Sequence, residues 1–105
     1  MPTLQVDGRA IQVNDEGFLT DVKQWDVEVA RAVARAEGIE ELTERHLQVA
    51  NFMRERFLDT GTAPTIRSLG KLSGVPIKEL YQLFPKGPAK LAAKIGGIPK
   101  PRSCI

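Results

Sequence analysis

The sequence predicts a mainly α-helical domain with a small N-terminal β-hairpin, a helix-turn-helix arrangement and a C-terminal arm that is mobile or folded back. Three observations carry that expectation. Apolar residues recur at helical spacing through the middle of the chain, the opening residues alternate around an Asp-Gly dipeptide, and the closing residues mix glycine and proline without periodicity. With 105 residues, 42% of them hydrophobic and 27% charged, the chain can build one modest core but not two. Residues 1–95 are therefore assigned to a helical domain with its hairpin, and residues 96–105 to the arm.

The segments TLQV and RAIQV flank Asp7-Gly8, a dipeptide that suits the two positive φ angles of a type I′ turn. Their alternation places Leu4, Val6, Ile11 and Val13 on one face, which needs helices to pack against because a lone hairpin is only marginally stable. A loop, NDEGFLTDVKQ, leads to Trp25, and Phe18 and Trp25 are expected to anchor it onto the helices. The first helix is predicted over 25–37, with Val29, Val33 and Ala36 beside Ala30 and Ala34 as its apolar stripe, and Gly38 ends it. Thr43 is a good N-cap for the second helix, which carries Leu47, Ala50, Met53 and Phe57 on one face and stops at Gly61.

Ala63-Pro64 opens a short third helix, and Gly74 and Pro76 separate it from a fourth, PIKELYQLF, in which Leu80, Leu83 and Phe84 read as core and Tyr81 as a further anchor. Pro85, Gly87 and Pro88 break the chain before a last helix, AKLAAKI. The arm GGIPKPRSCI follows, with an expected hinge at Gly96-Gly97 and stiffening at Pro99 and Pro101.

One cysteine and one histidine exclude an internal disulfide and a His/Cys metal site, so no metal or cofactor is expected. The sequence shows no apolar run long enough to cross a bilayer and no signal-peptide pattern in MPTLQVDGRA, which predicts a cytoplasmic protein with no membrane partner. Net charge is only +2, but Lys86, Lys90, Lys94, Lys100 and Arg102 all follow the last acidic residue, Glu79. Such a basic segment attracts acidic protein surfaces or phosphates and favours the thiolate of a nearby cysteine.

The residue in question is Cys104, next to the terminal Ile105. A thiol there is either a reactive group on an arm or an idle cysteine near a frayed end. The helix-turn-helix at 64–84, with Arg67, Lys71 and Lys78, makes DNA a further candidate partner. The low net charge and a fourth helix poor in long polar residues weigh against it. His46, beside Glu44 and Arg45, reads as structural, and Asp15, Glu16, Glu40, Glu41 and Glu44 as solvated faces.

From DGRAIQVNDEGFL through EELTERHLQVANFMRE and TAPTIRSL to the tail, the chain resembles the DsrC/TusE family, which includes the gamma subunit of dissimilatory sulfite reductase and the TusE sulfur-relay protein. The tail is the specific part: LFPKGPAK at 83–90, then GIPKP at 97–101, then a cysteine in the penultimate position. The resemblance implies a small sulfur carrier, not a stand-alone enzyme, that holds persulfide sulfur on Cys104. It implies sulfur-donor and sulfur-acceptor proteins as partners, either Tus-type relay proteins in tRNA thiolation or dissimilatory sulfite reductase subunits. Lys86, Lys94, Lys100 and Arg102 would contact them.

In the DsrC branch a second cysteine stands eleven positions earlier, where this chain has Ala93. That points to the single-thiol TusE-like branch, and it also motivates an alternative, a regulatory paralogue that docks without transferring sulfur. The segment KLSGVP between the third and fourth helices is shorter than in most relatives.

Overall fold

The computed structural model describes residues 2–101. Two strands, β1 (Thr3–Val6) and β2 (Arg9–Gln12), are followed by a 3-10 turn at Val22–Gln24 and five helices. These are α1 (Val27–Ala36), α2 (Glu44–Thr60), α3 (Ile66–Leu72), α4 (Ile77–Leu83) and α5 (Pro88–Ile95). The predicted fold class is the observed one. The hairpin pairs Leu4 with Ile11 and Val6 with Arg9, and its turn has φ 49° at Asp7 and 82° at Gly8, the type I′ geometry the dipeptide implied. Val6, Ile11 and Val13 are buried on the inner face, and Leu4 is half-buried beside them.

Each longer helix starts where a side chain can take up its free amide groups. Asp26 caps α1 by accepting from the Val29 amide at 3.0 Å. Thr43 caps α2 by accepting from the His46 amide, while His46 Nδ1 returns the bond by accepting from the Thr43 amide at 3.1 Å. His46 Nε2 lies 3.0 Å from the Leu83 carbonyl, and the ring packs edge-on against Phe84 at 5.2 Å. With Nδ1 accepting, Nε2 carries the proton and donates, so the histidine ties α2 to the end of α4, the structural role expected of it.

The core centres on α5. Its residues Leu91, Ala92, Ala93 and Ile95 are buried among Val29, Ala30 and Val33 of α1, Val49, Ala50 and Met53 of α2, and Leu69, Leu80 and Phe84 of the α3–α4 pair. Alanines on α1, α2 and α5 let the three helices approach closely. Two expected core positions lie outside it: Ala36 is exposed, and Tyr81 on α4 keeps 47% of its surface. The stripe of α1 is completed by Ala30 and Ala34, and the core side at α4 is taken by Leu80 and Phe84, four residues apart on one face, with Tyr81 turned away from Leu80 by one residue's rotation.

Candidate functional site

The segment leading to Cys104 begins as the cap of α5. The Ile98 amide donates to the Ala93 carbonyl at 3.1 Å and the Gly97 amide to the Lys94 carbonyl at 3.2 Å, with Gly97 at φ 71°. This is the Schellman arrangement, in which a left-handed glycine and the next residue satisfy the last free carbonyls of a helix. The apolar residue that follows the glycine, Ile98, is fully buried.

Around this joint the packing leaves no spare room. A Cβ on Gly97 would sit 2.7 Å from the Trp25 ring carbon Cγ, and one on Gly96 would sit 2.8 Å from the Ala50 carbonyl oxygen. Trp25 Nε1 donates to the Ile95 carbonyl at 2.7 Å. Arg54 lies 4.6 Å over the Trp25 ring and donates to the carbonyls of Gly96 at 3.1 Å and Val22 at 2.6 Å. Burial lowers the pKa of the Arg54 guanidinium below its ordinary value. The expected hinge at Gly96-Gly97 is therefore a packed joint: here glycine serves close approach and a left-handed cap, not freedom.

Beyond the joint, Pro99 is exposed, Lys100 half-buried and Pro101 buried. Pro99, Lys100 and Pro101 form one wall of a groove of about 200 Å³ whose other wall is Phe57, Gly61, Thr62 and Ala63. Lys100 Nζ donates to Glu16 at 2.9 Å, so Glu16, expected as part of a solvated face, pins the arm's described end to the hairpin side. That hydrogen bond, then the charges of Lys100, Lys90 and Lys94, hold the Glu16 carboxyl below the usual carboxylate range.

The residues expected to meet partners fall into different environments. Lys86 is exposed in the turn before α5. Lys94 is not a free surface cation: its side chain is 11% exposed, its Nζ donates to Glu37 at 2.6 Å, and it lies 5.1 Å from the Phe18 ring. Lys94 stands on the face of α5 turned toward α1 and the 14–19 loop. Ala93, where a second cysteine would stand, is fully buried within α5. Cys104 and Arg102 lie outside the described residues.

Sequence reasoning missed Trp25 Nε1, Arg54 and Glu37 as elements that hold the arm's base. No pattern pairs Lys94 with Glu37 across 57 positions, but the string Gly97-Ile98-Pro99 directly after a helix does carry a Schellman signal. Among the described residues no group of three His, Cys, Asp or Glu side chains could hold a metal. No helix among them is long and apolar enough to cross a membrane.

A family model, DsrC like protein, matches residues 5–105. The chain is 35% identical to the gamma subunit of dissimilatory-type sulfite reductase from Nitratidesulfovibrio vulgaris over 105 residues, all of both chains. It is 42% identical to the sulfurtransferase TusE of Escherichia coli over 106 residues, covering 94% of this chain and 96% of TusE. The first match runs end to end without a gap, so that relative is no longer than this chain between α3 and α4. The second leaves about seven of the 106 aligned positions unoccupied by this chain, as expected of a longer relative.

Among solved structures, the oxidised gamma subunit from Archaeoglobus fulgidus superposes with a TM-score of 0.84 at 38% identity, over 99% of this chain and 100% of that one. The crystal structure of dissimilatory sulfite reductase I includes a chain that superposes at 0.88 and 35% identity, over 99% and 100%. On the match across residues 5–105 and these full-length likenesses, the chain belongs to the DsrC-like protein family.

Proposed function

We propose that this protein is a sulfur carrier that holds sulfur as a persulfide on Cys104 and passes it to a partner protein. The observation that carries the proposal is the full-length similarity to TusE and to a sulfite reductase gamma subunit in a chain whose one thiol is Cys104. In the step, the Cys104 thiolate forms a bond to the outer sulfur of a donor persulfide. The donor's S–S bond breaks, its electron pair leaves on the donor thiolate, and Cys104 becomes the persulfide with no net oxidation. Passing the sulfur on repeats the exchange with Cys104 as the leaving thiolate.

Arg102 and Lys100 lie two and four residues before the thiol, where their charge favours the thiolate and attracts an acidic partner face. Lys86 adds an exposed cation, whereas Lys94 belongs to the ion pair with Glu37 and is left out of the partner surface. The proposed partners are a Tus-type relay protein as donor and either the next relay component or sulfite reductase subunits as acceptor, in the cytoplasm. The absence of a second thiol favours the relay, and hence tRNA thiolation, because a one-cysteine chain cannot close an internal disulfide to release its sulfur.

Intact mass after incubation with glutathione persulfide tests the proposal, with Cys104→Ser alongside. A gain of one sulfur that reductant reverses, and that the serine variant lacks, is the expected result. A wild type that stays unmodified while its thiol alkylates freely overturns it and leaves the docking-only, regulatory paralogue as the better account.

A further inference from the structure

The position at which the packed part of the chain ends restricts where a partner can meet Cys104. Pro101 is buried in the wall of the Phe57–Ala63 groove, and only two residues separate it from Cys104, three steps along the chain. An extended chain spans at most about 3.6 Å per residue, so three steps from a seated Pro101 can reach no further than about 11 Å. Releasing Lys100 from Glu16 and unseating Pro101 lengthens the tether back to Ile98. That residue is fully buried in the α5 cap, so six chain steps and about 22 Å are the limit while the cap holds. Any partner sulfur that reacts with Cys104 must come inside this radius, and the partner's body must then rest on the surface around the exit.

That surface has the relief of a docking rim. The groove against Pro99–Pro101 is continuous, through Thr62 and Ala63, with a second concavity of about 240 Å³ lined by Arg56, Thr60, Pro64, Thr65 and Ser68. Together they offer hydroxyl groups, short apolar walls and one exposed cation, Arg56, beside the point where the arm leaves the body. We infer that this rim, formed by the C-terminal end of α2 and the 61–65 loop, is the docking surface for the persulfide-bearing partner protein. The inference also requires that partner to place a carboxylate opposite Arg56 and its reactive sulfur within about 22 Å of the α5 cap. It rests on the sulfur-carrier function and adds the place of contact and the depth.

The test compares two donors on the full chain: glutathione persulfide, which needs no docking, and a persulfide-loaded relay protein of the Tus type. The rim variant Arg56→Glu/Ala63→Glu is expected to load from glutathione persulfide within twofold of wild type, and a thermal unfolding transition close to that of wild type shows that it folds. The same variant is expected to take sulfur from the relay protein at least tenfold more slowly. Arg31→Glu on α1, which lines neither concavity, should leave both rates unchanged. Wild-type transfer from the relay protein to the rim variant overturns the inference while leaving the carrier function intact. Failure of the wild type to load from either donor instead overturns the carrier function itself.

Discussion

The α5 joint and the α3–α4 pair are built from similar short helices, yet they use their residues in opposite ways. Along α5 and its cap every residue from Leu91 to Ile98 is buried, and Trp25, Arg54 and Glu37 reach in from three other segments to bind its carbonyls or its lysine. Across the α3–α4 pair the core sides are Leu69, Leu80 and Phe84, while Leu72, Ile77 and Tyr81 keep 55%, 43% and 47% of their surface. A helix-turn-helix there is a way of packing two short helices against a core. The difference shows where this small domain concentrates its packing: on fixing the base of the arm, so that the point from which the last residues continue is defined.

Substitutions rank this contrast. Trp25→Ala should have the largest effect, costing about 3–5 kcal/mol in denaturant unfolding, because it removes the ring packed on Gly97, the bond to the Ile95 carbonyl and the seat of Arg54. Gly97→Ala should cost about 2–3 kcal/mol, since it puts a side chain at φ 71° and drives it into the Trp25 ring. Glu37→Gln, which leaves the Lys94 charge 11% exposed without its counter-ion, should cost about 2 kcal/mol. That is less than a deeply buried pair loses, because the Glu37 side chain remains 24% exposed. On the other side of the comparison, Tyr81→Ser should change stability by no more than about 0.5 kcal/mol. A loss for Tyr81→Ser equal to that for Gly97→Ala would erase the contrast.

The smallest effect concerns pH. Hydrogen bonds from Lys100, Arg9 and Arg45 hold the carboxyls of Glu16, Asp26 and Glu79 below their ordinary values. Groups lowered on folding contribute stability that is fully present above the unfolded carboxylate range and is lost as pH falls through the lowered values. Thermal unfolding followed from neutral pH downward should therefore be flat until the carboxylate range and then decline. Glu16→Gln should lower the neutral-pH transition by its share of that decline, a small one because the pair is exposed, and converge with the wild type at low pH.

Most of the fold was legible in the sequence because its signals are local. Asp7-Gly8 specified the hairpin turn, Thr43 and Gly61 bounded α2, and the single cysteine and penultimate position carried the candidate site. The errors arose where a local signal had two meanings. Gly96-Gly97 followed by prolines reads equally as a flexible hinge and as a Schellman cap, and only the buried partners Trp25 and Ala50 decide between them. Lys94 reads as part of a basic tail until the fold brings Glu37 to it, a contact 57 positions away that no periodicity encodes. A helix predicted to begin at Trp25 hides Asp26 as its cap, whereas the carboxylate one residue later, also paired with Arg9, accepts from the Val29 amide.

Amide hydrogen exchange at Gly96, Gly97 and Ile98 tests the central claim most directly, because their donors close onto the carbonyls of Ala92, Lys94 and Ala93. The account predicts that these three amides exchange as slowly as those of α2 around Val49–Met53, and more slowly than those of α4. Exchange at the rate of an open loop would contradict it, because the arm would then pivot at Gly96-Gly97 and the reach of Cys104 would no longer be set by a packed joint.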